Sequence, residues 1–244
     1  PLYSSAASDV YKRQAMEGQR ESFKRYGVWG DWDAPYMTLQ PEYEAAQIRV
    51  FGEMVTRGHI YRGKKPVHWS PSSRTALAEA ELEYPENHVS RSIYVGFRVT
   101  QLSAALSSHL SPSDDVRLSI WTTTPWTIPA NLAVAVNADL DYCIATHPMA
   151  LNGAKIIVAK GLVSSLSNKL GLDPAVGQCL EVVAELKGAE LEGTQYQHPL
   201  YDRRSSVVLG GDYITVESGT GLVHTAPGHG QEDYLTGLKY GLPL

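Results

Sequence analysis

The stretch W-T-T-T-P-W-T-I-P-A-N, from Trp121 to Asn131, places three hydroxyl side chains in a row between two tryptophans and two prolines. The preceding letters, V-R-L-S-I-W, are typical of a β-strand, and Pro125 is expected to end the strand because proline has no N–H to donate. On an extended chain Thr122 and Thr124 point to one side and Thr123 to the other. The pattern predicts hydroxyls on both sides of a strand end, although β-branched triplets also occur through strand propensity alone.

A second polar cluster lies in G-T-G-L-V-H-T-A-P-G-H-G-Q-E-D-Y, Gly219 to Tyr234, where glycines surround a turn that leads into a predicted helix. Glycine lets the backbone approach a ligand closely. Asp233 falls in the first turn of that helix, where the helix dipole favours an ionised carboxylate. From the residues alone, Asp233 is either a helix-start residue or a ligand-binding group. The polar side chains of the cluster are His224, Thr225, His229, Glu232 and Asp233.

The rest of the chain indicates an α+β fold that is rich in β-structure. After Tyr84, short β-branched or aromatic runs alternate with glycine, proline, asparagine and aspartate, which predicts strands and turns. Helices are predicted at Glu42–Gly58, Gly161–Gly171 and Gly230–Gly241, and the polar segment Gln101–Asp115 is predicted to be a surface loop. The predicted strands are S-I-Y-V-G-F-R-V, V-R-L-S-I-W-T, L-A-V-A-V, D-Y-C-I-A-T, K-I-I-V-A, C-L-E-V-V-A-E-L, S-V-V-L-G and D-Y-I-T-V.

Amino-acid composition and net charge limit the classes of function that the chain is expected to have. The chain has 244 residues, of which 43% are hydrophobic and 19% charged, as in a soluble globular protein. Its net charge of −5 provides no basic footprint for nucleic acid, but it does not exclude a local contact surface. No apolar run approaches the ~20 residues of a membrane-spanning helix. Cys143 and Cys179 both lie in apolar strand-like runs, which predicts reduced core cysteines and a reducing compartment.

Three short motifs resemble functional sites and are rejected. Gly58–Lys65 has the frame of a phosphate-binding loop, but Lys65 stands where a Ser or Thr would hold Mg²⁺. Ser218 lacks the first glycine of a nucleophile elbow. His224 and His229 could bind a metal in principle, but no cysteine or further histidine joins them at ligand spacing, so no metal site is predicted.

Two motifs give the chain a specific resemblance to a family. W-T-T-T-P-W-T-I-P-A-N-L-A-V-A-V-N and G-T-G-L-V-H-T-A-P-G-H-G-Q-E-D-Y resemble the editing domain inserted into class I isoleucyl-tRNA synthetases. The sister valyl and leucyl enzymes carry a T-T-R-P-E-T type motif and an A-H-D turn at these places. F-K-R-Y-G-V-W-G-D-W-D-A-P-Y-M-T and K-P-V-H-W-S-P-S-S-R resemble the catalytic-core flank and connecting hairpin, so the resemblance covers Phe23–Leu244.

The resemblance implies an order of domains. Residues 1–14 lack clear periodicity and are interpreted as an adapter-derived or disordered tail that packs on nothing. Residues 15–91 correspond to part of the catalytic-core flank with its hairpin, and residues 92–244 to an editing domain, an irregular β-barrel with short helices that is incomplete at its C-terminal end. Because H-x-G-H and K-M-S-K-S type activation signatures are absent, the chain is interpreted as a fragment.

One departure from the family pattern concerns zinc. Many members have W-C-x-x-C where this chain has Ser70 and Ser73, and neutral serine hydroxyls are poor zinc ligands. We therefore expect no zinc knuckle at this hairpin. The serine version resembles cyanobacterial and plant-organelle enzymes.

The resemblance also implies an activity and roles for individual residues. The domain would hydrolyse valine wrongly esterified to tRNA(Ile), whereas the parent enzyme would join isoleucine to tRNA(Ile) with ATP and Mg²⁺. Thr122, Thr123 and Thr124, with Asn131, would hold the terminal adenosine and the ester. Asp233 would accept the substrate ammonium, and His224 would exclude the larger isoleucyl group. The further implied substrate contacts are Trp121, Thr127, Thr225, Ala226 and His229.

The implied partners are the acceptor end of tRNA(Ile), its valyl or isoleucyl ester and the amino acid. Neither a membrane nor a cofactor within this portion is expected, and the parent enzyme is expected to be a monomer of the cytoplasm or of an organelle. Two alternatives stay open: a non-catalytic module that binds the tRNA acceptor end, and the editing domain of a valyl-type synthetase. The water could be activated by a side chain or by the ribose hydroxyl of the substrate.

Overall fold

The computed structural model describes residues 5–173, 175 and 177–244, which divide into two compact units. The first unit ends at Gly63 and the second runs from Lys64 to Leu244. The hairpin of strands β1 (Trp69–Ser70) and β2 (Thr75–Ala76) thus belongs to the second unit. The division into catalytic-core flank and editing domain stays a prediction from the family resemblance.

The first unit contains helices α1 (Ser5–Arg25) and α2 (Pro41–Thr56). In α2, Pro41 occupies the first turn, where its missing N–H costs no hydrogen bond, and acidic side chains there complement the helix dipole. The helix predicted at Glu42–Gly58 is therefore confirmed. The irregular conformation expected for residues 1–14 is wrong for residues 5–14, because they form the start of α1. Residues 1–4 lie outside the described part.

The second unit is built around a nine-stranded mixed sheet, which confirms an α+β fold rich in β-structure. The order across the sheet is β11-β5-β10-β9-β3-β4-β7-β6-β8, with parallel pairs at β5/β10 and β4/β7. Among the described residues, three α-helices accompany the sheet, namely α3 (Ala104–Ser107), α4 (Val163–Lys169) and α5 (Gln231–Tyr240). The strands are β3 (Ile93–Gln101), β4 (Val116–Thr122), β5 (Ala133–Val136), β6 (Asp141–Thr146), β7 (Lys155–Ala159), β8 (Glu181–Lys187), β9 (Gln195–Gln197), β10 (Arg204–Leu209) and β11 (Val223–Thr225).

The sheet curls without closing into the barrel that the resemblance implies. Strands β4 and β11 approach each other although four strands separate them in the sheet order. Single hydrogen bonds reach from the far side to the turn before β11: Ala159 N donates to Thr220 O at 2.8 Å, and Tyr142 Oη to Gly221 O at 2.7 Å. Among the described residues no ladder joins β8 to β11, so both remain sheet edges.

A hydrophobic core fills the inside of the curled sheet. Its largest fully buried side chains come from strands on both halves of the sheet, so the core unites them. They include Phe97, Leu118, Ile144, Ile157 and Tyr196. Within the described residues, no helix has both the length and the apolar character needed to cross a membrane.

Three local predictions are wrong. The segment Gln101–Asp115 is more than a surface loop, because α3 begins at the Ser103 cap and carries Leu106 into the core. The residues D-Y-I-T-V at 212–216 form a turn and irregular chain after Gly210 and Gly211 instead of a strand. Cys143 is buried as expected, whereas Cys179 is exposed.

Candidate functional site

The first wall of the candidate site is the end of β4. The strand stops at Thr122, and a 3-10 helix (Pro125–Ala130) follows at once. Thr122 Oγ1 lies 3.2 Å from Thr124 Oγ1 and accepts a hydrogen bond from Thr124 N at 3.0 Å. These two side chains share one side of the chain, as the strand pattern predicts. Thr122 is buried, whereas Thr123 and Thr124 are exposed, so the strand end presents hydroxyls to solvent.

The second wall is the turn between β11 and α5. Gly219 has a φ of 77°, and a Cβ there would lie only 3.0 Å from the Trp121 ring, so the glycine lets this segment pack against the end of β4. Gly230 precedes α5, and a Cβ there would lie 2.2 Å from Asp233 Oδ2. The missing side chain lets Asp233 fold back over the helix start, where Oδ1 accepts a hydrogen bond from Ala226 N at 3.1 Å.

The two walls enclose a cavity of about 230 Å³. All the predicted site residues line it except Asn131 and Thr225, which have no exposed surface. Asp233 is the one carboxylate among the lining residues of the described chain. The cavity residues are Trp121, Thr122, Thr123, Thr124, Thr127, Val223, His224, Ala226, His229 and Asp233.

His224 is held by hydrogen bonds at both ring nitrogens. Nε2 lies 2.9 Å from Thr127 Oγ1, and Nδ1 lies 2.8 Å from Asn131 Nδ2. The same Asn131 Nδ2 contacts Ala133 O at 2.8 Å, and Asn131 Oδ1 accepts from Tyr196 Oη at 2.6 Å. The antiparallel pairing of β5 and β11 brings Asn131, just before β5, to the ring.

Two carbonyl oxygens, Thr124 O and Ala133 O, can only accept, and they fix which group donates in each hydrogen bond to His224. Thr127 Oγ1 donates to Thr124 O at 2.8 Å, so it must accept from His224 Nε2–H. Asn131 must direct its NH₂ group at the Ala133 carbonyl, and that group also donates to His224 Nδ1. His224 is therefore the neutral tautomer with its proton on Nε2, and neither nitrogen is free to act as a base.

Burial shifts the pKa values of His224 and Asp233 in opposite directions. It lowers the pKa of His224 to about 4, and His229 and His198 act in the same direction. It raises the pKa of Asp233 above its ordinary value, against the opposing effect of the N–H of Ala226 and of nearby His229. The prediction that the helix dipole keeps Asp233 ionised thus left out the larger effect, which is desolvation.

The predicted substrate contacts Asn131 and Thr225 are both buried, with 0% of each side chain exposed, and neither lines the cavity. Their contact with a substrate stays a prediction. Asn131 acts on the ring of His224, as described above. Thr225 bonds back to Val223 O at 3.3 Å within its own strand.

The segment from Tyr196 to Arg203 supports the site from behind, and the sequence interpretation missed it. His198 Nε2 donates to Ile128 O at 2.8 Å, and Arg203 Nη2 donates to Pro129 O at 3.0 Å. These bonds hold the 3-10 helix that carries Thr127. The sequence contains a feature that could have indicated this role, because Y-Q-H-P-L-Y-D-R concentrates polar and aromatic residues where one short strand ends and the next begins.

No metal site is visible in the described part of the chain. It contains no group of three or more histidine, cysteine or acidic side chains arranged to hold an ion. At the β1–β2 hairpin, Ser70 Oγ lies 2.8 Å from Ser73 Oγ, so these hydroxyls bond to each other.

Comparison with known proteins identifies the class. The sequence profile described as tRNA synthetases class I (I, L, M and V) matches residues 5–200. The chain therefore belongs to the class I tRNA synthetase family.

Individual relatives show which synthetases of this family the chain is similar to. The chain is 59% identical over 248 residues to an isoleucine–tRNA ligase of Nostoc punctiforme, covering 100% of this chain and 25% of the relative. It is 59% identical over 246 residues to an isoleucine–tRNA ligase of Synechocystis sp., covering 100% of this chain and 24% of the relative. The chain thus spans about a quarter of the length of these relatives.

A solved structure was also matched. The fold is similar to the P. knowlesi cytosolic leucyl-tRNA synthetase editing domain, with a TM-score of 0.45 and 13% identity over 59% of this chain and 61% of that one.

Proposed function

We propose that this chain carries the editing site of an isoleucine–tRNA ligase and hydrolyses the ester of valine on tRNA(Ile). The whole enzyme then attaches isoleucine to the same tRNA with ATP and Mg²⁺, in the cytoplasm or an organelle and as a monomer. The observation that carries the proposal is the cavity where the exposed threonines after β4, Thr123 and Thr124, lie with Asp233 and a neutral His224. Identity of 59% to isoleucine–tRNA ligases supports the choice of amino acid.

The threonines bind the ester in this proposal. Thr123 and Thr124 are exposed at the cavity mouth, and a hydroxyl can both donate to an ester carbonyl and accept from a water. A positioned donor stabilises the charge that develops on the carbonyl oxygen during hydrolysis. Thr122 is already engaged by Thr124 N, so its main effect is to fix the direction of the Thr124 hydroxyl. No covalent intermediate is needed.

Asp233 binds the α-ammonium of the amino acid. It is the carboxylate of the cavity, and its Oδ1 is held by Ala226 N, so it faces the threonines in a fixed position. A cation beside a partly desolvated carboxylate favours the charged form and lowers its pKa. Substrate binding therefore offsets the unfavourable burial of Asp233.

His224 restricts the size of the amino acid and takes no proton. Both of its nitrogens are occupied by Thr127 and Asn131, so the ring can only act as a wall. One methylene gives a hydrophobic pocket only ~1–3 kcal/mol of discrimination, a limit for which the choice of isoleucyl-tRNA synthetases between isoleucine and valine is the standard example. A second site that admits only the smaller ester corrects the errors that remain. Because His224 has no free nitrogen, we assign water activation to a group other than this ring.

Deacylation by the 244-residue chain tests the proposal. We expect it to hydrolyse Val-tRNA(Ile) and to leave Ile-tRNA(Ile) intact. Binding of both tRNAs without hydrolysis would favour the non-catalytic acceptor-end module. Preferential hydrolysis of Thr-tRNA(Val) would favour the editing domain of a valyl-type synthetase. Matched measurements with uncharged tRNA(Ile) separate binding from hydrolysis.

A further inference from the structure

Tyr196 lies outside the cavity but is connected to it through Asn131. Its ring is fully buried in β9 and packs against Phe97, with ring centroids 5.4 Å apart. Its hydroxyl donates to Asn131 Oδ1 at 2.6 Å, the shortest of the hydrogen bonds that lead to His224. A buried tyrosine hydroxyl needs a partner, and this one has the Asn131 amide that also bonds to His224.

The Tyr196 hydroxyl helps to decide which way the Asn131 amide points. With the tyrosine donating to Oδ1, the NH₂ group is directed at His224 Nδ1. Without it, Oδ1 would be a buried acceptor without a donor, which is costly. Rotating the amide would give that oxygen a partner only if His224 moved its proton to Nδ1, and it would also cost the hydrogen bond from Nδ2 to Ala133 O, so the Tyr196 hydroxyl and the Ala133 carbonyl hold the amide together. The ring would then lose its Nε2–H donation to Thr127.

We propose that Tyr196 is a positioning residue that sets the discrimination between valyl and isoleucyl esters, because it fixes the tautomer and the position of His224. The inference has two halves. The tautomer half, that Tyr196 fixes which nitrogen of His224 carries the proton, rests on the hydrogen bonds alone. The specificity half, that this sets the discrimination between the esters, rests on the proposed function. It places a specificity determinant on β9, a strand that contributes no side chain to the cavity lining.

The test is Tyr196→Phe, which removes one oxygen and keeps the buried ring. Imidazole ¹⁵N–¹H spectra, with the His224 signals assigned by His224→Gln, report which nitrogen carries the proton. We expect the normal protein to show the Nε2–H tautomer and Tyr196→Phe to show a mixture of both. The ratio of Val-tRNA(Ile) to Ile-tRNA(Ile) hydrolysis is expected to fall on the order of tenfold, the effect of one buried hydrogen bond.

Tyr142→Phe is the matched control. Tyr142 is also fully buried, and its hydroxyl donates to Gly221 O at 2.7 Å and accepts from Asn137 N at 3.1 Å, outside the His224 network. The control should lose stability as Tyr196→Phe does. We expect it to keep both the tautomer and the discrimination ratio, which a general loss of packing would not spare.

Asn131→Asp provides a second variant should Tyr196→Phe fail to fold. A carboxylate can still accept from Tyr196, but it presents an oxygen to His224 and should draw the proton to Nδ1. Unchanged Nε2–H spectra in both variants would overturn the inference. A changed tautomer with unchanged discrimination would overturn its specificity half. If the normal chain does not hydrolyse Val-tRNA(Ile), the proposed function and that half fail together, and the spectra still decide the tautomer half.

Discussion

The two walls of the cavity differ in the exposure of their side chains and in how those side chains are held. On the β4 wall, Thr123 and Thr124 are exposed, and their local sequence alone brings the hydroxyls to the strand end. On the β11 wall, His224 is buried and its nitrogens are held by residues 97 and 93 positions away in the chain. In the proposed function the open wall (Thr123 and Thr124) binds the ester, and His224 on the rigid wall limits the size of the amino acid.

The largest effect is expected from Asp233→Asn. The substitution keeps an oxygen for the Ala226 N–H but removes the charge that, in the proposed function, binds the ammonium. Loss of one partner of a desolvated charge pair costs ~2–5 kcal/mol, so most Val-tRNA(Ile) deacylation should disappear while the fold is kept. Single-turnover deacylation and circular dichroism measure the two properties.

Glu232→Gln is the control for that substitution. Glu232 is the exposed neighbour of Asp233, about 100° away around α5, and it does not line the cavity. We expect nearly normal deacylation from it. Loss of activity in Glu232→Gln with normal activity in Asp233→Asn would refute the assignment of the ammonium site and make Asp233 a helix-start residue only.

The second prediction concerns acid stability and the rigid wall. The pKa of His224 is about 4 in the folded protein and ~6.5 in an unfolded chain, so the unfolded state binds more protons between these values. The free energy of unfolding must therefore fall as the pH drops from 6.5 to 4, by ~3 kcal/mol from this group. Urea unfolding at several pH values measures the slope.

His224→Gln separates this contribution from the other titrating groups. The variant lacks the imidazole, so its free energy of unfolding should change less across the same pH range. Asp233 cannot mimic the effect, because its raised pKa acts with the opposite sign: stability falls as the pH rises through the window above its ordinary value. Equal slopes in the variant and the normal protein would mean that His224 is not desolvated as the structure indicates.

A third prediction tests whether the rigid wall measures size. His224→Ala removes the ring and should make room for one more methylene, so the variant should begin to hydrolyse Ile-tRNA(Ile). The expected loss of discrimination is ~1–3 kcal/mol, because that is the limit for one methylene. Rates of Val-tRNA(Ile) and Ile-tRNA(Ile) hydrolysis give the ratio. A variant that spares Ile-tRNA(Ile) and still clears Val-tRNA(Ile) would show that another residue sets the size limit.

The contrast between the walls also explains what the sequence could predict. The strand end at Thr122 and the helix after Gly230 follow from local signals, namely a β-branched run before Pro125 and glycines on both sides of a helical pattern. The role of Asn131 could not be read in the same way. Its neighbours His224 and Tyr196 are distant in sequence, and only the pairing of β5 with β11 and the curl of the sheet bring them together.

Burial is the property that local sequence predicted least well. The family resemblance implies ligand contacts at Asn131 and Thr225, yet both side chains are fully buried. Leu106 lay in a segment of small polar residues, yet it is fully buried. Whether a polar residue faces a ligand or a neighbour depends on the long-range pairing of strands, which a single sequence does not reveal.

The smallest predicted effect returns to the open wall and distinguishes its three hydroxyls. Thr122→Val keeps the shape of the side chain and removes the acceptor for Thr124 N. We expect a loss of ~1 kcal/mol in the free energy of unfolding, the usual net contribution of one hydrogen bond. Thr123→Val is the control, because the Thr123 side chain is exposed, and it should change stability by less than ~0.5 kcal/mol. Urea unfolding measures both. If the hydroxyls of this wall bind the ester, Thr123→Val should nevertheless slow Val-tRNA(Ile) hydrolysis. A variant that is normal in both stability and hydrolysis would show that Thr123 is not part of the site. Thr124 would then be the exposed hydroxyl of this wall that binds the ester.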